Sequence, residues 1–206
     1  MTSLAFWTEN QVGGPYETLE ESQEALAQRQ LEFPTLLGLM PVEFPGKTVL
    51  DYGCGPGHDT LLFCQHGAGH VFYYDFSQTA LDMVDTRLEL HGLAGRASPV
   101  NRGRIPKVDH AHCAGVLHHT EDPLSILKDI RHALKRDGDL SVMIYDGLRS
   151  KKTKSKVPIT LWWTEQEFTY LAYMGGFDTK YLGSYECSAP WRPDCWAACY
   201  NLTCRN

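Results

Sequence analysis

No stretch of these 206 residues approaches the roughly eighteen consecutive apolar side chains that a membrane-spanning helix needs, so no membrane partner is expected. Met1 to Thr8 lacks the charged start and long apolar centre of a secretory signal, which points to the cytoplasm. A basic excess is missing too. Lys and Arg number 19 against 25 Asp and Glu, the net charge is -6, no basic stripe compensates, and no nucleic-acid partner is expected. Among the seven cysteines there is no Cys-x-x-Cys pair. Cys187, Cys195, Cys199 and Cys204 gather late in the chain without metal-ligand spacing, so no metal is expected. The odd total, with Cys54, Cys64 and Cys113 on apolar segments, suits reduced thiols better than a disulfide framework. His110 and His112 alternate along one strand face, where packed, hydrogen-bonded imidazoles are expected. Repeats and low-complexity tracts are absent, and the length suits one domain with its own core.

What the chain does contain is concentrated in Thr48-Val-Leu-Asp-Tyr-Gly-Cys-Gly-Pro-Gly-His58. It reads as a buried strand that ends on a carboxylate and turns through three glycines, where backbone N–H groups meet a ligand without Cβ obstruction. A dinucleotide fingerprint needs Gly-x-Gly-x-x-Gly. Here Gly53, Gly55 and Gly57 alternate, and His58 stands where the third glycine belongs. A second strand, His70 to Asp75, ends in an acid at about the distance at which nucleotide-binding α/β folds place a ribose-binding acid. A carboxylate only accepts hydrogen bonds and so suits two vicinal hydroxyls.

The Asp-x-Gly-x-Gly-x-Gly form resembles motif I of the class I S-adenosylmethionine (SAM)-dependent methyltransferases. Asp109 to Leu124, with Leu117-His-His119, looks like that family's fourth strand and following loop. Ile130 to Leu140 resembles its Arg-x-Leu-Lys-Pro-Gly-Gly turn, with Arg136 and Asp137 in place of Pro-Gly. The four blocks keep the family's order over about residues 45–205. The resemblance implies that Asp51, Gly53 and Gly55 hold the methionine end of SAM, with Cys54 and Gly57 close by in the cofactor site, and that Asp75 holds the ribose. It also implies that Phe76 lies beside the adenine, that Asn101 accepts from the adenine amino group, and that Gly115 lies close by. S-adenosylhomocysteine (SAH) is the implied product. The implied fold is α/β: a doubly wound, mostly parallel seven-stranded sheet with a C-terminal antiparallel hairpin strand and helices on both faces. Residues 1–206 form one domain in this reading, with 1–45 a helical lid and 46–206 the Rossmann-like core.

Local signals set the elements. Leu19, Leu26 and Phe33 stand at heptad spacing in a helix that Pro34 is expected to end. Strands are expected near 48–51, 70–75, 97–100, 109–115, 139–145, 179–186 and 196–204. Ser77, Asp122 before Pro123, and the Thr164-Glu-Gln-Glu167 capping box open three helices. Gly138 is expected to close the helix over 123–135.

A sulfonium methyl is already activated, so aligning donor and acceptor carries most of the chemistry. An acceptor that must lose a proton needs a base, and His118 and His119 follow the fourth strand at the edge where α/β folds bind ligands. A small-molecule acceptor is expected, its nucleophilic atom (O, N or C) open. Phe6, Trp7, Tyr16, Trp162 and Trp163 are candidate pocket aromatics, and Asp146 to Lys156 is a cationic segment suited to an anionic acceptor or to solvent. A non-catalytic SAM-binding partner subunit and a nicotinamide-dependent oxidoreductase are the alternatives, and a homodimer is compatible with the sequence.

Overall fold

The structure is a computed structural model that describes residues 3–37, 44–150, 157–189 and 192–205. In chain order the elements are α1 (Ser3–Glu9), α2 (Leu19–Leu37), β1 (Thr48–Tyr52), α3 (His58–Gln65), β2 (His70–Tyr74), α4 (Gln78–Leu90) and β3 (Ala97–Pro99). They continue through β4 (Val108–Ala114), α5 (Pro123–Ala133), β5 (Leu134–Tyr145), α6 (Glu165–Met174), β6 (Phe177–Ala189) and β7 (Arg192–Cys204). The seven strands form one sheet in the order β3-β2-β1-β4-β5-β7-β6. β1 pairs in parallel with β2 and β4, whereas β7 runs antiparallel between β5 and β6. The strand order reverses between β1 and β4, which opens a crevice at the carboxyl ends of these strands.

Each face of the sheet carries its own core. Leu26 of α2, Leu61 and Leu62 of α3, and Val84 and Leu88 of α4 pack on Val49 and Val71 on one face. On the other, Ile126, Leu127 and Ile130 of α5 and Phe168 of α6 pack on Leu50, Ala111, Val142 and Tyr200. Strands covered on both faces need nearly continuous apolar sequence. β1 meets that demand, and its Asp51 is buried as well. No helix among the described residues is long and apolar enough to cross a membrane.

The helix starts behave as their sequences dictate. Ser77 Oγ accepts the Ala80 N–H, Asp122 Oδ1 accepts the Ser125 N–H, and Thr164 and Glu167 form a reciprocal capping box. Two expected stops do not hold. α2 passes Pro34 and runs to Leu37; proline removes a single N–H donor, and the helix crosses it one hydrogen bond short. Gly138 lies inside β5 rather than closing α5, because the chain enters the strand at Leu134, paired with Val108. There a Cβ would stand 3.0 Å from the Asp109 carbonyl oxygen, so glycine allows two backbones to approach beside a bulge in the β4–β5 register. Of the cationic segment, residues 151–156 lie outside the described residues.

Candidate active site

After β1 the chain turns left-handed at Gly53 (φ 79°), Gly55 (φ 50°) and Gly57 (φ 80°), a conformation other residues adopt only under strain. The three glycines answer different needs. A Cβ at Gly53 would meet Val116 Cγ2 at 2.2 Å, and one at Gly57 would meet Val84 Cγ2 at 2.8 Å. At Gly55 nothing lies within 4 Å, so the missing side chain leaves open space. The Gly53 and Cys54 N–H groups donate to the Tyr74 carbonyl at 2.7 and 3.0 Å, tying the turn to the end of β2. Asp75 completes the tie: its Oδ2 accepts the Gly55 N–H at 3.0 Å, and its Oδ1 accepts the Ser77 N–H at 2.9 Å. Burial raises the Asp75 pKa above the usual carboxylate range, with those N–H groups pulling the other way. Each oxygen retains a further lone-pair direction for a hydroxyl donor.

A cleft of about 1070 Å³ opens over this edge. β1 and its turn contribute Asp51, Gly53, Cys54 and Gly55; the end of β2 contributes Asp75 and Phe76; the segment after β4 contributes Gly115, His118 and His119. Of the expected site residues, Gly57 and Asn101 are not in the lining. Gly57 sits against Val84 at the start of α3, and the neighbour of Asn101, Arg102, faces the cleft instead. Burial pushes the Cys54 thiol well above its ordinary pKa, so it is a packing thiol and not a nucleophile. Among the described residues no group of three His, Cys, Asp or Glu side chains is placed to hold a metal.

Behind the turn lies a set of charges that the sequence did not announce. Arg29 of α2 donates Nε to Asp59 Oδ1 at 2.6 Å and Nη2 to Oδ2, and both residues line the cleft. Burial alone would raise Asp59, but Arg29 and then His112 hold its carboxyl well below the ordinary range. Asp51 shows the opposite balance: burial, then the Asp59 charge, pushes it up to about 7, although the Thr60 hydroxyl donates to it at 2.6 Å. His58, read from the sequence only as a missing glycine, lines the cleft and is pushed down to about 4 by burial and by Arg87.

The far wall is a row of rings. His118 stacks on Tyr145 with centroids 3.8 Å apart and an interplanar angle of 23°, and Tyr145 stacks on Trp162 at 5.1 Å. Trp7 of α1 reaches His119 at 5.1 Å. His119 Nδ1 lies 2.9 Å from the Ile159 carbonyl oxygen. A carbonyl only accepts, so Nδ1 carries the proton and Nε2 is the basic nitrogen of the neutral ring. No periodicity marks Arg29 or Tyr145 as site residues; a cation facing the buried sheet side of a helix was the one available signal for Arg29.

Residues 20–175 match the family described as a methyltransferase domain. The chain belongs to the SAM-dependent methyltransferase family. Similar proteins agree with the assignment at the level each supports. A tRNA U34 carboxymethyltransferase from Campylobacter hominis is 30% identical over 142 residues, 65% of this chain and 48% of that protein. Magnesium protoporphyrin IX methyltransferase from Synechocystis PCC 6803 with bound SAM superposes with a TM-score of 0.65 at 15% identity, over 98% of this chain and 90% of that one. The [4+2]-cyclase SpnF superposes with a TM-score of 0.66 at 16% identity, over 89% and 82% of the two chains. At such identities the likeness is one of fold, and the cyclase shows that the fold alone does not name the reaction. The chain spans about half the length of the curated relatives it matches. Several of those relatives are named for a tRNA nucleotide, which overturns the expectation of a small-molecule acceptor with nucleic acid excluded. Net charge does not exclude such a partner, because charges beyond about 8 Å are screened in physiological salt and cations at a contact count for more than the sum over the surface.

Proposed function

We propose that this methyltransferase binds SAM in the cleft and alkylates a base presented by RNA. The cleft rings Trp7, His119, His118 and Tyr145 support this most directly, because a planar acceptor gains about 1–3 kcal/mol for each base stacked on an aromatic ring. The relatives' naming for tRNA U34 supports the same acceptor class. A base reaches such a pocket only when it is unpaired or flipped out of its stack.

The cofactor suits the residues present. Asp75 offers free lone-pair directions to the ribose hydroxyls, Phe76 offers a half-exposed ring to the adenine, and the open space at Gly55 is where a side chain would obstruct SAM. Asp51 and the glycine turn are the groups for the methionine end. Bound SAM supplies the electrophilic methyl carbon. The chain aligns the acceptor against it, excludes water with the α1 segment, and takes a proton at His119 Nε2 when the acceptor atom carries one. His118, stacked on Tyr145, orients the ring row. Residues 1–45 act as the lid in this reading, and Gln11 Nε2 ties that segment to Ser77 Oγ at 2.8 Å. The thiols of Cys54, Cys64, Cys113, Cys199 and Cys204 accord with a reducing cytoplasm.

The test is label transfer from SAM to total tRNA, to nuclease-digested tRNA and to a metabolite extract. Label in intact RNA that nuclease releases as one modified nucleoside supports the proposal, and mass spectrometry of that nucleoside identifies the group transferred. SAM binding with label only in the metabolite fraction, or in none, overturns the RNA acceptor.

A further inference from the structure

Arg87 of α4 is the largest fully buried side chain among the described residues, and no carboxylate there bonds it. Its donors go to two segments far apart in sequence. Nε donates to Ser22 Oγ at 2.8 Å and Nη2 to the Ser22 carbonyl at 3.3 Å, both on α2, while Nη1 donates to the Pro56 carbonyl at 2.8 Å, inside the glycine turn. The guanidinium lies 4.4 Å from the centre of the Tyr16 ring, and the Tyr16 hydroxyl is 3.1 Å from His58 Nε2. His91, one turn further along, places Nε2 2.9 Å from the same Ser22 hydroxyl.

Stability alone does not call for this arrangement. A buried cation without a paired carboxylate is expensive, and an apolar side chain of similar volume would fill the space at lower cost. Burial pushes Arg87 down to about 10, which still leaves it charged at neutral pH. What arginine offers beyond an apolar residue is a rigid planar fork whose donors point in fixed directions. Val84, on the same face of α4 and one turn earlier, presses on Gly57, so α4 holds the turn at two neighbouring points.

We propose that Arg87 is a positioning residue that locks the N-terminal helical segment to the cofactor turn, so that Tyr16, Ser22 and Pro56 keep their places as one unit. Its effect on SAM rests on the functional reading above; the lock itself does not. Without Arg87 the Pro56 carbonyl loses its donor and α2 loses its attachment to the turn together. The turn then has to be ordered by the ligand, and affinity falls while the chemistry at saturation is kept.

Hydrogen exchange and SAH calorimetry on Arg87→Met, Arg87→Lys and Ser22→Ala test the proposal. Exchange in the ligand-free Arg87→Met protein should rise together over residues 16–22 and 53–57, and SAH affinity should fall about 10- to 100-fold, the size expected for losing one to two charged hydrogen bonds. The KM for SAM should rise in step, with kcat at saturating SAM within about threefold. Arg87→Lys restores charge but not the fork, and should recover only part of the protection. Should Arg87→Met fail to fold, Ser22→Ala carries the test, since it removes the hydroxyl acceptor from the α2 side alone and should raise exchange at both segments. Exchange that rises at one segment only, or at neither, overturns the lock. If the parent protein does not bind SAH, the cofactor reading fails and the exchange data alone decide the role of Arg87.

Discussion

His112 Nε2 lies 2.8 Å from Asp59 Oδ2, the same carboxylate that grips Arg29 in the cleft. From there a buried ladder crosses the sheet: His112 Nδ1 is 2.9 Å from Ser141 Oγ, Ser141 Oγ is 3.1 Å from His110 Nε2, and His110 Nδ1 is 3.1 Å from Asp139 Oδ1. Burial lowers the His112 pKa, while the charge and hydrogen bond of Asp59 pull the other way. Ser141→Ala should leave two ring nitrogens facing no partner, at about 1–3 kcal/mol each. Urea unfolding measures it, and a loss below about 0.5 kcal/mol, the size of an ordinary surface change, would dismiss the ladder as a stabilising unit.

The position of Asp51 at about 7 makes SAM affinity depend on pH. The donor carries ammonium and sulfonium charges that favour the carboxylate, so the pKa in the complex is lower than in the free protein. Between those two values binding expels a proton, and affinity should rise as pH increases toward 7, then level off. Calorimetry in two buffers of different ionisation heat detects the proton, and Asp51→Asn should abolish its release. The folded-state pKa is raised above the unfolded one, so stability is lost as pH climbs from the ordinary carboxylate range toward about 7, and the loss is complete above it. Asp51→Asn should therefore raise the melting temperature at pH values above about 7.

Alanine at the three glycines should separate fold from ligand. Gly53→Ala and Gly57→Ala force a Cβ into Val116 and Val84 and should unfold the turn, lowering the melting temperature. Gly55→Ala has room, pays about 1–2 kcal/mol for its left-handed backbone, and should stay folded while losing SAH binding. A Gly55→Ala protein with parental affinity would move the cofactor away from the turn.

His119→Ala should lower kcat at neutral pH by about two to four orders of magnitude if the acceptor atom gives up a proton, and the loss should shrink on acidification. In the parent enzyme the rate should fall on acidification, and the variant should lack that dependence. A variant whose KM for RNA rises with kcat unchanged would make His119 an acceptor-binding residue and leave proton removal to solvent.

Much of the framework was legible in the sequence because its causes are local. The Ser77, Asp122 and Thr164 caps, the strand ending at Asp51 and the glycine turn act within a few residues of themselves, where side-chain chemistry leaves few choices. The spacing from that turn to Asp75 was legible too, and the structure turns it into a contact, Gly55 N–H to Asp75. Strand boundaries set by pairing were not: β5 begins at Leu134 because Val108 receives it, and Gly138 is a glycine because Asp109 passes close by. Arg29, Tyr145 and Arg87 stayed hidden for the same reason. A hydrogen bond or ring contact between residues about 26 to 31 positions apart leaves no periodic mark, so the sequence by itself determined the fold class and the glycine-turn edge. Only the tertiary packing of α2 and α4 against that edge decided which charges stand behind it.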